Sequence, residues 1–279
     1  MARSYLFIPG NVPRMLTNAD VFEADALIID WEDAIHANEK DEARELTIAY
    51  LESHRPENTR VYVRINSDEE LIAKDSEALK GKDVDGIVLP KASRATLSLY
   101  EKLFSDKEPF PVIALVETPA AFFELGEIAA HERVHALFLG GEDFRTAIGA
   151  ERTENAEELL FARNMVVLAA KANDITAIDT PFTSLKEAGL EEDCRRGKAL
   201  GFDAKSAIHP DQIASINRIF SPAKKEIREA KRILKRHEEE GSMRFSLDGK
   251  MVDRPIIERA KRLLEKARLY GMTDSEDDR

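Results

Sequence analysis

Two short apolar runs of this chain each end in acid. Pro111-Val-Ile-Ala-Leu-Val116 passes into Glu117-Thr-Pro-Ala, and Ala136-Leu-Phe-Leu139 passes into Gly140-Gly-Glu-Asp143. Such runs read as buried strands of a parallel sheet. A carboxylate beside Gly or Pro at the end of one is delivered to the C-terminal rim, where the active sites of (βα)8 barrels collect. Glu117 and Asp143 are therefore expected to face one pocket. Like charges held close on rigid strands repel each other, so either one carboxyl is protonated or a cation lies between them. A cation is the expectation here, and specifically Mg2+, which takes one or two carboxylates together with waters.

Four of the expected strands end in ionisable groups: Glu32 and Asp33, Arg64, Glu117, and Glu142 and Asp143. Singly, each has an ordinary explanation, because Asp commonly caps the helix that follows a strand. Their coincidence on one rim makes the set informative. In Arg60-Val-Tyr-Val-Arg-Ile65 the alternation puts Arg64 on the side of Tyr62 near the strand's end. A guanidinium there is charge compensation for the acids, or the fork that best fits a carboxylate or an enolate oxygen. Lys91 closes the fourth strand as Leu-Pro-Lys and invites a Schiff-base aldolase. The surrounding acids would keep it protonated, so neutralising them is its expected role.

His131-Glu-Arg-Val-His135 matches the zinc-protease pattern letter for letter, but that motif needs one continuous helix. Here Val134-His135 opens the sixth strand, at the bottom of the barrel and away from the carboxylates. His209-Pro210, after the eighth strand, reads as a helix-entry turn. No phosphate-loop or dinucleotide glycine pattern is found.

The elements that must carry these groups alternate. Strands are expected over 4–8, 26–30, 60–65, 86–89, 111–116, 136–139, 176–178 and 203–207, with helices such as 13–22, 40–52, 156–172 and 212–220 between them. Eight β-then-α units in 279 residues favour a closed (βα)8 TIM barrel over an open doubly wound sheet. After Ser221-Pro222 the pattern changes to a charged helix over 223–240 stopped by Gly241. A hairpin turning on Asp248-Gly249 and a final helix after Pro255 follow, and an acidic tail closes the chain over 273–279. The expected organisation is a barrel over 1–221 and a helix–hairpin–helix appendage over 222–279.

With 43% hydrophobic residues the chain can fill a core, and its formal net charge of -12 argues against nucleic acid or an anionic membrane surface as partner. Cys194 is the only cysteine, so no intrachain disulfide forms, and no apolar run approaches the length of a membrane span. A cytoplasmic protein is expected.

Arg3-Ser-Tyr-Leu-Phe-Ile-Pro-Gly10, Asp30-Trp-Glu-Asp-Ala34, Val63-Arg-Ile-Asn66, Leu89-Pro-Lys91, Val116-Glu-Thr-Pro-Ala120, Gly140-Gly-Glu-Asp-Phe144, Ala207-Ile-His-Pro210 and Asp248-Gly-Lys-Met-Val-Asp253 occur in that order. The ordered set resembles the citrate lyase β-subunit-like family of CoA-ester lyases, within the HpcH/HpaI aldolase superfamily. The resemblance implies a Mg2+-dependent barrel that cleaves or forms the bond between a 2-oxo acid and the acetyl carbon of a CoA thioester. It implies Glu117 and Asp143 as metal ligands, Arg64 as substrate-binding, and Glu32 and Asp33 as holders of metal-associated water. Pro9, Gly10 and Arg14 belong to the loop that helps hold CoA. Asp253 matches a catalytic acid/base that reaches a neighbouring subunit, so the appendage is expected to act as a lid. Lids that each cover the next mouth close into a ring, a homotrimer by expectation.

Two departures stand out: Trp31 where the family usually has Leu, and Asn18 where Lys is common. The implied substrate is a carboxylated 3-hydroxyacyl-CoA of the malyl-CoA or citramalyl-CoA type. Competing readings are the citryl-CoA lyase subunit of a citrate lyase complex, a CoA-independent 2-oxo-acid aldolase, and an assembly subunit that kept the barrel without turnover.

Overall fold

The computed structural model describes residues 2–104, 110–184 and 189–272. Eight parallel strands close into a barrel in sequence order: β1 (Ser4–Pro9), β2 (Ala26–Asp30), β3 (Arg60–Arg64), β4 (Gly86–Leu89), β5 (Val112–Val116), β6 (Val134–Leu139), β7 (Thr176–Asp179) and β8 (Ala204–Ala207), with β8 pairing back onto β1. β2, β4, β5 and β8 are buried at every position, as strands covered on both faces must be. The expected (βα)8 barrel is the observed fold.

Around it run α1 (Pro13–Thr17), α2 (Lys40–His54), α3 (Glu69–Leu79), α4 (Arg94–Leu103), α5 (Pro119–Phe123), α6 (Leu125–Ala129), α7 (Gly141–Ala147), α8 (Leu160–Ala172), α9 (Leu190–Leu200) and α10 (Ile213–Phe220). Strict one-to-one alternation does not hold. Two short helices, α5 and α6, join β5 to β6, because Glu124 (φ −105°, ψ 2°) ends one and begins the next. Asn18 (φ −97°, ψ 7°) similarly breaks the helix expected over 13–22 into α1 and a 3-10 turn. α7 is an addition of more consequence, since it begins directly after β6 and carries Asp143.

Tyr5, Ile28, Tyr62, Val88, Ile113, Leu115, Phe138 and Ile178 fill the barrel interior. Side chains alternate along a strand, so each inward row continues to the rim two residues further on. Ile28 leads to Asp30, Tyr62 to Arg64 and Leu115 to Glu117.

The chain divides into two compact units, 2–217 and from Arg218 onward. In the second, α11 (Lys224–Glu240) and α12 (Arg254–Leu269) pack with the hairpin of β9 (Phe245–Leu247) and β10 (Lys250–Val252) around Ile233, Phe245, Val252 and Ile257. Asp248 and Gly249 hold φ of +50° and +75°. Positive φ at both central residues is what a two-residue turn needs to match the twist of its strands. The acidic segment 273–279 lies outside the described residues. No helix among the described residues is long and apolar enough to cross a membrane.

Candidate active site

Glu117 follows the last residue of β5 and is 3% exposed. Its Oε1 accepts a hydrogen bond from the backbone N–H of Lys91 at 2.8 Å. Gly140 makes room for it, since a Cβ there would stand 2.5 Å from Glu117 Cβ and 2.8 Å from Oε2. Burial pushes the Glu117 carboxyl up to about 8; the Lys91 N–H opposes the shift, the Glu32 and Asp143 charges add to it, and Arg64 opposes it. Oε2 accepts no hydrogen bond among the described residues.

Asp143 sits in the first turn of α7, four residues beyond the end of β6, rather than at the strand end itself. Among the described residues its carboxylate makes no hydrogen bond or ion pair, whereas neighbouring Glu142 is taken up by Arg145 at 2.8 Å and Arg152 at 2.5 Å. Glu117, Asp143, Asp30, Asp33, Arg64, Pro9 and Thr180 line one cavity of about 380 Å³.

Arg64 is the hub of the acids. Its Nε and Nη2 form a fork on Asp30 at 2.7 and 2.6 Å, and its Nη1 lies 3.1 Å from Glu32 and 3.5 Å from Asp33. Burial works against its charge, but Asp30 first and then Glu32 and Asp33 outweigh it and hold the guanidinium above its ordinary range. The Phe7 ring lies 5.2 Å from the guanidinium carbon. Sequence reasoning singled out Glu32 and Asp33 and passed over Asp30. The signal was available, since Asp30 is the residue paired with Arg64 in the β2–β3 register.

Lys91 donates its ammonium to Glu32 Oε1 at 3.1 Å and Ser67 Oγ at 3.2 Å. Burial lowers its pKa, yet Glu32, Asp33 and Glu117 outweigh burial and raise it. That is charge neutralisation, not the depressed amine a Schiff base needs. Of the expected CoA loop, Pro9 lines the cavity, Gly10 packs within what would be 2.8 Å of Trp31 had it a Cβ, and Arg14 is exposed on α1. Trp31 is fully buried and donates its Nε1 to Thr47 at 2.9 Å. Asp253 occupies the N-cap position of α12, but its side chain makes no capping hydrogen bond among the described residues. His135 is half-buried on β6, stacks on Tyr62 at 5.7 Å, and is pushed down to about 4 chiefly by desolvation. His209 accepts from Asp211 N at 3.3 Å in a helix-entry turn.

The HpcH/HpaI aldolase/citrate lyase model matches residues 3–210. The chain belongs to that family. The citrate lyase subunit beta of Leuconostoc mesenteroides subsp. cremoris is 36% identical over 99% of this chain and 96% of its own length. A (3S)-malyl-CoA thioesterase of Cereibacter sphaeroides is 35% identical over 95% of this chain and 94% of its own. A crystal structure of CitE from Mycobacterium tuberculosis in complex with magnesium, acetoacetate and coenzyme A superposes with a TM-score of 0.82 at 30% identity, covering 95% of this chain and 98% of that one.

Beside the mouth, this HpcH/HpaI chain holds a buried ion cluster that no local pattern announces. Lys205 on β8 donates to Asp179 at 2.9 Å and to the Thr180 carbonyl at 2.6 Å, and lies 2.7 Å from Asp193. Arg163 on α8 clamps Asp179 at 2.9 and 3.1 Å and reaches Asp193 at 2.8 Å. Lys205 and Asp179 are 0% exposed and Arg163 1%. Two cations balance two acids, so the cluster is neutral and its hydrogen bonds are well satisfied, as burial requires. Cys194 lies beside it, its thiol pushed up to about 12 chiefly by burial.

Proposed function

We propose that this chain is a Mg2+-dependent carbon–carbon lyase. It cleaves a carboxylated 3-hydroxyacyl-CoA of the malyl-CoA or citramalyl-CoA type, reversibly, into acetyl-CoA and a 2-oxo acid. The observation that carries the reading is the pair Glu117 and Asp143: two neighbouring acids on one cavity, one buried with a free Oε2 and the other without a hydrogen-bond or ion-pair partner among the described residues. That arrangement fits a dication. No cluster of three or more His, Cys, Asp or Glu among the described residues is disposed to hold a metal. Two carboxylates completed by water and substrate oxygens is the way Mg2+ is usually held. The magnesium and coenzyme A in the related CitE structure support the same assignment.

Held by Glu117 and Asp143, Mg2+ would supply fixed positive charge beside the substrate hydroxyl oxygen, which becomes negative when its proton leaves. The chain's own groups do the rest. The substrate hydroxyl gives its proton to water, the carbon–carbon bond breaks as that oxygen becomes the carbonyl of the 2-oxo acid, and the bond's electron pair passes to the acetyl unit as an enolate. Arg64, immobilised by Asp30, presents its remaining N–H groups to that enolate oxygen or to the carboxylate of the small acid. Asp253, from a neighbouring subunit of a homotrimer, returns a proton to the enolate carbon, and in the reverse direction removes one from the acetyl methyl. Its uncommitted carboxylate supports that role. Exposed Phe161 and Leu168 on α8, 70% and 66% accessible, support self-association.

The beta-subunit relatives favour a second reading, in which the chain works as the citryl-CoA lyase subunit of a larger complex. One assay separates the two. The purified chain is incubated with Mg2+ and a panel of hydroxyacyl-CoAs and free hydroxy acids, and acetyl-CoA is followed. Release from malyl-CoA or citramalyl-CoA by the chain alone is expected. Release from citryl-CoA only would favour the complex subunit, and cleavage of free acids would favour a CoA-independent aldolase.

A further inference from the structure

We infer that Thr180 is a positioning residue that fixes the Asp143 turn and thereby sets the metal affinity of the site; the inference rests on the metal reading above. Thr180 is 4% exposed, and its Oγ accepts a hydrogen bond from Gly141 N at 3.1 Å. Gly141 opens α7, two residues before Asp143. Its N–H belongs to the first turn of a helix, where backbone donors have no partner inside the helix. Because the site is buried, water does not replace the bond, and Thr180 supplies the acceptor.

The sequence of the turn is shaped for this contact. A Cβ on Gly141 would stand 2.7 Å from Thr180 Oγ, and one on Gly140 would stand 2.5 Å from Glu117 Cβ. The two glycines therefore let the start of α7 slot between Glu117 on one side and Thr180 on the other. Thr180 is itself held, since its carbonyl accepts from Lys205 Nζ at 2.6 Å inside the buried ion cluster. A line of short, buried contacts runs Lys205, Thr180, Gly141, Asp143. A carboxylate that makes no hydrogen bond of its own depends on its backbone for placement, and here the Thr180 hydroxyl fixes that backbone beside the bond from Gly140 N to the Val116 carbonyl at 2.9 Å.

Thr180→Val removes the acceptor while keeping the shape, and Thr180→Ser restores it. Mn2+ binding, followed by the electron paramagnetic resonance signal of the free ion without any substrate, reads the site directly. The valine variant should bind about tenfold more weakly, the loss of roughly one buried hydrogen bond, and the serine variant should stay near wild type. In turnover the apparent KM for metal should rise while kcat at saturating metal changes little. Hydrogen–deuterium exchange over 141–147 should quicken in the valine variant and recover in the serine one, a readout that needs no metal. Equal Mn2+ affinity and equal exchange in wild type and Thr180→Val would overturn the inference alone. Failure of the wild type to bind Mn2+ would remove the metal reading and this inference with it. A valine variant that does not fold is replaced by Thr180→Ala, for which the same weakening and the same faster exchange are expected.

Discussion

The backbone N–H of Lys91 points at Glu117 Oε1 from 2.8 Å, and to aim it Lys91 holds the left-handed φ of +48°. A non-glycine residue in that region stores strain, which persists only where the surroundings demand it. Here the demand is a buried carboxyl that needs one oxygen fixed and the other left open. The ammonium of the same residue points elsewhere, to Glu32.

Metal binding should therefore release a proton. The unbound Glu117 carboxyl, pushed up to about 8, keeps its proton below that pH, and a metal must displace it. Affinity should rise with pH up to about 8 and level off above. Titration calorimetry in buffers of differing ionisation enthalpy should register close to one proton released per ion at pH 7. The sign for stability is the opposite. Because the folded value lies above the ordinary 4.5, metal-free stability should fall as pH rises from about 4.5 to about 8, and saturating Mg2+ should flatten that fall in thermal melts.

Arg64 and Asp30 should behave as one unit. Lysine cannot reproduce the fork on Asp30, so Arg64→Lys should lower kcat/KM by at least about a hundredfold. Asp30→Asn loosens the same guanidinium and should cost a comparable factor. Combining the two should cost much less than the product of the single effects. Near wild-type kcat/KM in either single variant would count against the role given to Arg64.

Much of this site was legible before any coordinates. Asp30, Arg64 and Glu117 each end an alternating inward row, and the rows containing Arg64 and Glu117 can be read from Tyr62 and Leu115. Asp30 was hidden by its neighbours, because three acids within four residues leave the pairing to the strand register, which a single strand does not display. Asp143 reaches the cavity of Glu117 from an unexpected element, because Gly140-Gly141 reads as the end of a strand but is the entry to a short helix. The ion cluster was out of reach, since Arg163, Asp179, Asp193 and Lys205 come from four elements with no local spacing between them. The appendage hairpin, by contrast, turns on its own two residues, and Asp248-Gly249 was sufficient to place it.

Lys91 should not form a covalent adduct. Held protonated by Glu32, Asp33 and Glu117, it is a poor nucleophile toward a 2-oxo acid. Borohydride treatment with pyruvate or glyoxylate present should leave the intact mass unchanged and the activity intact. A reduced adduct mapped to Lys91 would revive the Schiff-base aldolase.

Asp253 should act on a partner's site. An inactive Asp253→Ala chain and an inactive Glu117→Ala chain, mixed under conditions of subunit exchange, should regain activity wherever a sound barrel meets a sound appendage. Mixed oligomers that form and stay dead would mean the site is not shared.

If a carbon–carbon bond breaks and an enolate is then protonated, cleavage of malyl-CoA in D2O must mark the acetyl product. With Mg2+ present, mass spectrometry should find acetyl-CoA carrying one deuterium in its methyl group, together with glyoxylate, and none of either from Glu117→Ala. Free CoA and malate without carbon-bound deuterium would mean that the thioester is hydrolysed and the carbon–carbon bond left intact, so that the chain is not the lyase proposed.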